Sequence, residues 1–281
     1  MKNLTESIGI DEVAKFWNQN PLWVGESKFS KGSKEFFDEH KDVYIADCFA
    51  GQLDERFFKN NGRVLDLGCG IGFWLIEFLE RNVKSIYGVD LSKNSLDLAE
   101  RRLKIYGKEA RLSLGNGEKL DFPDGYFEHV NCQGVIHHTV NPQNVVNEIY
   151  RVLKPGGTAL ISVYYKNFIL RNLKIFTPLI FLSGKLGLTL KGRGRENMYK
   201  EMSVNEIIRK YDGENNPIGL GYTKKEFIRL IGSEFKITEI FYHFFPKRAI
   251  LPRCPKAIHK ILDRYVPFMI YGSLKKPLDE K

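Results

Sequence analysis

The order of apolar runs and turn residues predicts an α/β fold, a mostly parallel sheet with helices on both faces. Three observations carry this reading. Between Gly62 and Tyr164, short strand-like runs alternate with helix-like stretches, the pattern of successive βα units. The first run, Arg63 to Leu67, ends in Gly68, Gly70 and Gly72, spaced two apart, and leads into a helical stretch from Phe73 to Leu79. Acids at Asp66 and Asp90 lie toward strand C-termini, the edge at which open α/β sheets bind ligands.

The elements follow in order. Ile10, Val13, Ala14 and Trp17 recur at helical spacing, so 8–17 reads as a short amphipathic helix, closed by Pro21 and Gly25. Trp17 suits a core anchor better than a ligand contact. A second helical stretch covers 33–58 and breaks near Gly51. Strands are expected at 62–67, 85–90, 110–115, 127–133 and 157–164, with helices at 72–82, 92–106 and 141–153. Ser92 is placed to cap the helix after the second strand.

After Lys166 the alternation stops. Residues 167–211 read as an insertion whose first half, Phe168 to Leu190, is apolar, studded with Arg171, Lys174 and Lys185, and interrupted by Pro178 and Gly184. No uninterrupted apolar run there reaches the roughly 18 residues of a membrane span. Lys191 to Arg195 reads as a flexible basic turn, and Thr223 as the cap of a later helix. Strands at 236–244 and 268–274 close the fold. The organisation is then a helical extension over 1–60, a ligand-binding core over 61–166, a basic and apolar insertion over 167–235, and the last strands with their connecting helix over 236–281.

Composition narrows the class. A chain of 281 residues, 43% apolar, buries a full core and fits a soluble globular protein. A charged start without an apolar stretch predicts no signal peptide. Cys48, Cys69, Cys132 and Cys254 show neither paired nor metal-type spacing, which fits a reducing, cytoplasmic setting and no metal site. Charge is uneven. Residues 1–165 hold 20 Lys and Arg against 23 Asp and Glu, whereas 166–281 hold 23 against 11. Such a basic C-terminal part fits a solvated face, an acidic partner, or peripheral contact with an anionic membrane.

The glycine turn points to chemistry. Glycine permits positive φ and close approach of backbone to ligand, and a helix N-terminus offers unpaired N–H groups. Gly-x-Gly-x-Gly differs from the Gly-x-Gly-x-x-Gly fingerprint of dinucleotide sites. Asp90 ends the second strand, where a carboxylate can accept from both ribose hydroxyls of an adenine nucleoside. Asn116 to Leu120, Phe122 to Phe127, Gly134 to His138 and Leu153 to Gly157 follow in order. With these segments the chain resembles the class I S-adenosylmethionine (SAM) dependent methyltransferases, and within them the small-molecule group that includes quinone-biosynthesis and natural-product enzymes. The resemblance covers about residues 60–165.

That resemblance implies a Rossmann-like, seven-stranded sheet with an antiparallel last strand, SAM as cofactor, a helical N-terminal extension capping the cofactor cleft, and a helical lid formed by the insertion. It implies that Asp66 orients the ammonium group and that Gly68, Gly70 and Gly72 admit the methionine part. Asp90 would bind the ribose, Leu91 the adenine face, and Asn116 and Gly117 the adenine edge, with Asn116 standing where the family usually has Asp. Gln133 would lie by the reactive centre. His137 and His138 are candidate general bases, or one caps or packs under the next helix. Related enzymes join such a pair to an acid after the fifth strand, but Ser162-Val163-Tyr164-Tyr165 holds none. Tyr164 and Tyr165 fit an acceptor pocket or simple packing.

Three functions remain on this basis: methylation of a hydrophobic or anionic small molecule at oxygen, nitrogen or carbon; modification of RNA; and SAM binding without turnover. The missing Asn-Pro-Pro-aromatic type of segment after the fourth strand counts against nucleic acid. The intact glycines and Asp90 count against a non-catalytic protein.

Overall fold

The computed structural model describes residues 8–58, 62–187, 200–201, 203–250 and 254–278. The basic turn expected at 191–195 lies outside the described residues. Eight strands among them form one sheet: β1 (Arg63–Leu67), β2 (Ser85–Asp90), β3 (Arg111–Leu114), β4 (Phe127–Gln133), β5 (Leu153–Tyr165), β6 (Gly221–Tyr222), β7 (Lys236–His243) and β8 (Met269–Lys275). Their order is β3-β2-β1-β4-β5-β8-β7, with β6 beside the end of β5. Only β8 runs antiparallel, wedged between β5 and β7. The seven expected strands are all present, and the two-residue β6 adds an eighth by pairing with Tyr164 and Tyr165.

The helices are α1 (Ile10–Gln19), α2 (Lys34–Cys48), α3 (Phe73–Leu79), α4 (Lys93–Ile105), α5 (Pro142–Val152), α6 (Phe168–Arg171), α7 (Leu173–Lys185), α8 (Val204–Lys210), α9 (Lys224–Ile231), α10 (Lys247–Ile250) and α11 (Lys256–Tyr265). Alternation along the strands divides the core between the two sheet faces. Leu65, Leu67, Val130 and Ile161 pack with Val145 and Ile149 of α5 and Phe227 of α9. Val64, Ile86 and Leu160 pack on the other face with Phe73 and Ile76 of α3 and Leu96 and Ala99 of α4.

Local chemistry sets the helix ends. Ser33, Ser92 and Asn141 accept from Phe36, Ser95 and Asn144 N–H at the starts of α2, α4 and α5. Thr223 and Glu226 form a reciprocal capping box at α9. Ala50 and Gly51, both at positive φ, end the α2 segment where a break was expected.

One expectation fails. Pro178 and Gly184 do not interrupt the apolar stretch, because α7 runs through both. Proline withholds one N–H from the helical ladder, the one that would have met the Lys174 carbonyl, and the helix continues past it all the same; the neighbouring Thr177 hydroxyl donates to the Leu173 carbonyl at 2.9 Å. Gly184 is buried in the last turn.

Candidate active site

β1 delivers the chain into the glycine turn at the C-terminal edge of the sheet. Gly68, Gly70 and Gly72 have φ of 72°, 51° and 79°, a region costly for residues with a side chain. Gly68 N–H donates to the Val89 carbonyl at 2.7 Å, which ties the turn to β2. The Asp90 carboxylate accepts from Gly70 N–H and from Ser92 N–H, each at 2.8 Å. Burial raises the Asp90 carboxyl above its ordinary range, against the opposing pull of those backbone donors. A Cβ at Gly68 would meet Val135 Cγ2 at 2.2 Å. The turn and the segment leaving β4 are thus shaped to each other.

Beside this turn opens a cavity of about 260 Å³. One part of its wall holds Gly68, Gly70, Asp90, Leu91, Asn116, Gly117, Gln133 and Gly134. The rest is largely apolar, aliphatic side chains together with Trp17, Trp23, Tyr44, Tyr164, Tyr211, Phe244 and Tyr271, and it also holds Glu26, Asp47, Asp212 and Arg248. Helix α1 therefore serves the cavity directly: Trp17 lines it and sets its ring edge-on to His138, centroids 4.9 Å apart. That differs from the core-anchor role expected for Trp17.

Eight of the site residues expected from sequence lie on this wall, namely Gly68, Gly70, Asp90, Leu91, Asn116, Gly117, Gln133 and His138. Asp66, Gly72 and His137 do not. Gly72 caps α3 at its N-terminus and sits against Ala99, where a Cβ would come within 3.2 Å of the alanine Cβ. Its smallness lets α3 and α4 approach. Asp66 is buried beneath the turn, with Oδ1 accepting from Asn131 Nδ2 at 2.7 Å and Oδ2 without a partner. Asn131 in turn accepts from Gln133 Nε2 at 2.8 Å. A polar chain therefore runs from Gln133 on the cavity wall to Asp66. Burial pushes the Asp66 carboxyl up to about 7. Asn116 spends its amide oxygen on Glu118 N–H at 2.9 Å, which shapes its own turn.

The two histidines separate. His137 is buried, and neither ring nitrogen has a hydrogen-bond partner. Burial, reinforced by neighbouring His138, holds it neutral well below the usual histidine range. Its ring packs on Tyr164 at 4.0 Å between centroids. His138 lines the cavity. Its Nδ1 faces the Ile218 carbonyl at 2.6 Å, so Nδ1 carries the proton and donates. Its Nε2 lies 3.2 Å from Asp212 Oδ2, and the Tyr164 hydroxyl donates to that same oxygen at 2.6 Å.

Asp212 is the acid that the end of β5 lacks, supplied by the insertion just beyond α8. Sequence reasoning missed it. The available signal was the polar run Asp212 to Asn216 closing an amphipathic segment. Tyr165, by contrast, turns away and packs on Tyr242.

The cradle left by the glycines, the acid at the end of β2 and the polar turn at Asn116 together suit an adenine nucleoside carrying an amino-acid tail. Among the described residues, no group of three or more His, Cys, Asp or Glu could hold a metal ion.

Comparison with known proteins agrees with this geometry. A family model described as a methyltransferase domain matches residues 65–161. The chain is 30% identical over 191 residues to a demethylmenaquinone methyltransferase of Bacillus velezensis, a match covering 66% of this chain and 76% of that protein. It is 31% identical over 157 residues to a ubiquinone biosynthesis O-methyltransferase of Alkalilimnicola ehrlichii, covering 56% and 60%. An uncharacterized methyltransferase of Bacillus subtilis is 30% identical over 143 residues, covering 50% of this chain and 56% of that protein. The chain thus spans a little over half the length of the latter two relatives. Among solved structures, a SAM-dependent methyltransferase from Methanosarcina mazei superposes with a TM-score of 0.56 at 18% identity, covering 80% of this chain and 97% of that one. The (4+2)-cyclase SpnF gives 0.54 at 15% identity, covering 95% and 93%. These two share the fold, and the second shows that the fold alone does not dictate a reaction.

Proposed function

The chain belongs to the class I SAM-dependent methyltransferases, and from that premise we propose that it methylates a hydroxyl of a largely apolar small molecule. The His138–Asp212 pair, on the same cavity wall as Gly68, Gly70 and Asp90, carries the reading. SAM, when bound, supplies a methyl carbon made electrophilic by its sulfonium. In this reading Gly68 and Gly70 leave room for the methionine part and Asp90 accepts from the ribose hydroxyls. Leu91 packs on the adenine, while Asn116 and Gly117 meet its edge. Gly72 serves by close helix packing, and Asp66 acts through Asn131 on the orientation of Gln133.

Because Nδ1 of His138 donates to the Ile218 carbonyl, its Nε2 and Asp212 Oδ2 face each other as two acceptors 3.2 Å apart, and the proton leaving the acceptor's hydroxyl is taken up between them. The Asp212 carboxylate offsets the imidazolium charge so formed, and the Tyr164 hydroxyl holds that carboxylate in position. The aromatic wall suits an apolar acceptor. Arg248 is the only Lys or Arg among the described lining residues, and Asp47 and Glu26 already engage it. A neutral hydroxyl compound therefore fits better than a multiply charged anion.

The test is transfer of a labelled methyl from SAM into lipid, polar-metabolite and RNA fractions of a cell extract, with mass spectrometry of the product. Label is expected in a small-molecule fraction, and label confined to RNA would overturn the reading. On the identified acceptor, His138→Ala and Asp212→Asn should each lower kcat by about 10²–10⁴ and leave SAM affinity unchanged. Unaltered turnover in both variants would remove the proton-transfer role.

A further inference from the structure

Helix α7 turns apolar side chains to both of its sides. On the inner side Leu173 and Gly184 are buried, with Phe176, Thr177 and Ile180 half-buried. On the other side Ile175, Leu179, Leu182 and Leu186 are 74%, 65%, 54% and 70% exposed. At 3.6 residues per turn these four fall within an arc of about 60°. The solvent side of a surface helix is ordinarily polar, and a contiguous apolar stripe there marks an interaction surface. Phe168, at the start of α6, is exposed as well.

Charge indicates what the stripe meets. Lys174 and Lys185 are both exposed and lie on one flank of it, within about 100° of its centre by the same helical spacing. From Asn167 to Arg195 the sequence holds Arg171, Lys174, Lys185, Lys191, Arg193 and Arg195 and no Asp or Glu. An apolar stripe flanked by cations matches the boundary between acyl chains and anionic headgroups. A second copy of this chain would instead bring like charges together across the contact.

We propose that α6 and α7 form an interfacial anchor that seats on an anionic phospholipid bilayer. The stripe Ile175, Leu179, Leu182 and Leu186 enters the acyl boundary, and Lys174 and Lys185 reach back to headgroup phosphates. The helix lies in the plane of the surface. Its 13 residues span about 20 Å, short of the roughly 30 Å hydrocarbon core. No helix among the described residues is long and apolar enough to cross a membrane. The proposal is independent of which acceptor is methylated.

The experiment is co-sedimentation of the full chain with vesicles of phosphatidylcholine alone or mixed with phosphatidylglycerol, at low and high salt. Binding is expected on the anionic vesicles, weakened by salt. Lys174→Gln and Lys185→Gln should each lower it by about fivefold, and the pair Leu179→Glu/Leu182→Glu by more than about tenfold. Leu186→Gln, just beyond the helix, provides a milder variant expected to lose about threefold. All should retain the parent melting temperature and SAM affinity, which reports on the fold separately from lipid binding. Absence of binding to anionic vesicles, or equal binding by the glutamate pair and by Leu186→Gln, would overturn the proposal. So would self-association in solution that the glutamate pair dissolves, since a second copy would then be what covers the stripe.

Discussion

Replacing Gly68 by alanine adds one methyl group at the most constrained point of the cofactor turn. Two costs follow. The residue sits at φ 72°, where an L side chain costs about 1–2 kcal/mol. Its new Cβ would also lie 2.2 Å from Val135 Cγ2, 3.1 Å from Cγ1 and 3.2 Å from Cβ. Rotating the valine moves one methyl away but not the Cβ, so the turn or the segment leaving β4 must shift, at about 1–3 kcal/mol for an overpacked contact. Together these give about 2–5 kcal/mol. A central value near 3 corresponds to a fall in Tm of roughly 6–12 °C in a chain of this size. Calorimetric melting and titration with SAM read both consequences, and affinity should drop because the displaced turn is the cavity wall. Gly68→Ala/Val135→Ala relieves the methyl contacts but not the backbone cost, so about half of the lost stability should return. A Gly68→Ala protein with the parent Tm and SAM affinity would refute the reasoning.

Two further predictions concern stability. Asp66 holds its proton to about pH 7 when folded, against an ordinary value of 3.8, so the native state binds more protons than the unfolded chain between those values. Stability should therefore fall as pH rises from about 4 to 7 and level off above, a loss on the order of a few kcal/mol. Asp66→Asn should flatten that dependence in melting curves, and an unchanged slope would show that another group sets it. Thr223→Ala removes the capping box of α9 and should cost about 1 kcal/mol, seen as a Tm lowered by a few degrees and restored by Thr223→Ser. No change in Tm on Thr223→Ala would show that α9 is held by its packing alone.

The parts that were legible in the sequence are those whose cause is local. β2 and β4 occupy the expected residues, and the helices that follow them begin after Ser92 and Asn141 because those side chains cap them. The position of eight expected residues on one cavity wall was legible for the same reason, since most of them sit at or just past the C-terminal end of a strand. Asp66 and Gly72 were harder. Their residue types suggest ligand contact, but β1 is covered on both faces, which buries the one, and helix packing claims the other. The His138–Asp212 pair was not readable. Nothing near Asp212 in sequence announces a histidine 74 residues earlier; the pairing exists only once β6 joins the end of β5 and draws the preceding loop over the sheet. Pro178 misled because one missing N–H lowers the stability of a helix without fixing where it ends, and α7 continues past it.

The placement of Asp212 has a consequence for how the protein becomes active. Everything assigned to the cofactor lies between Asp66 and Gln133, whereas the partner of His138 comes from the segment that leads into β6, itself paired with the end of β5. On the proposed assignment, a molecule with that segment displaced would hold SAM and turn over slowly. On that reading cofactor occupancy and catalytic competence are separable, and a change between Lys166 and Tyr222 that displaces Asp212 should spare the first while lowering the second.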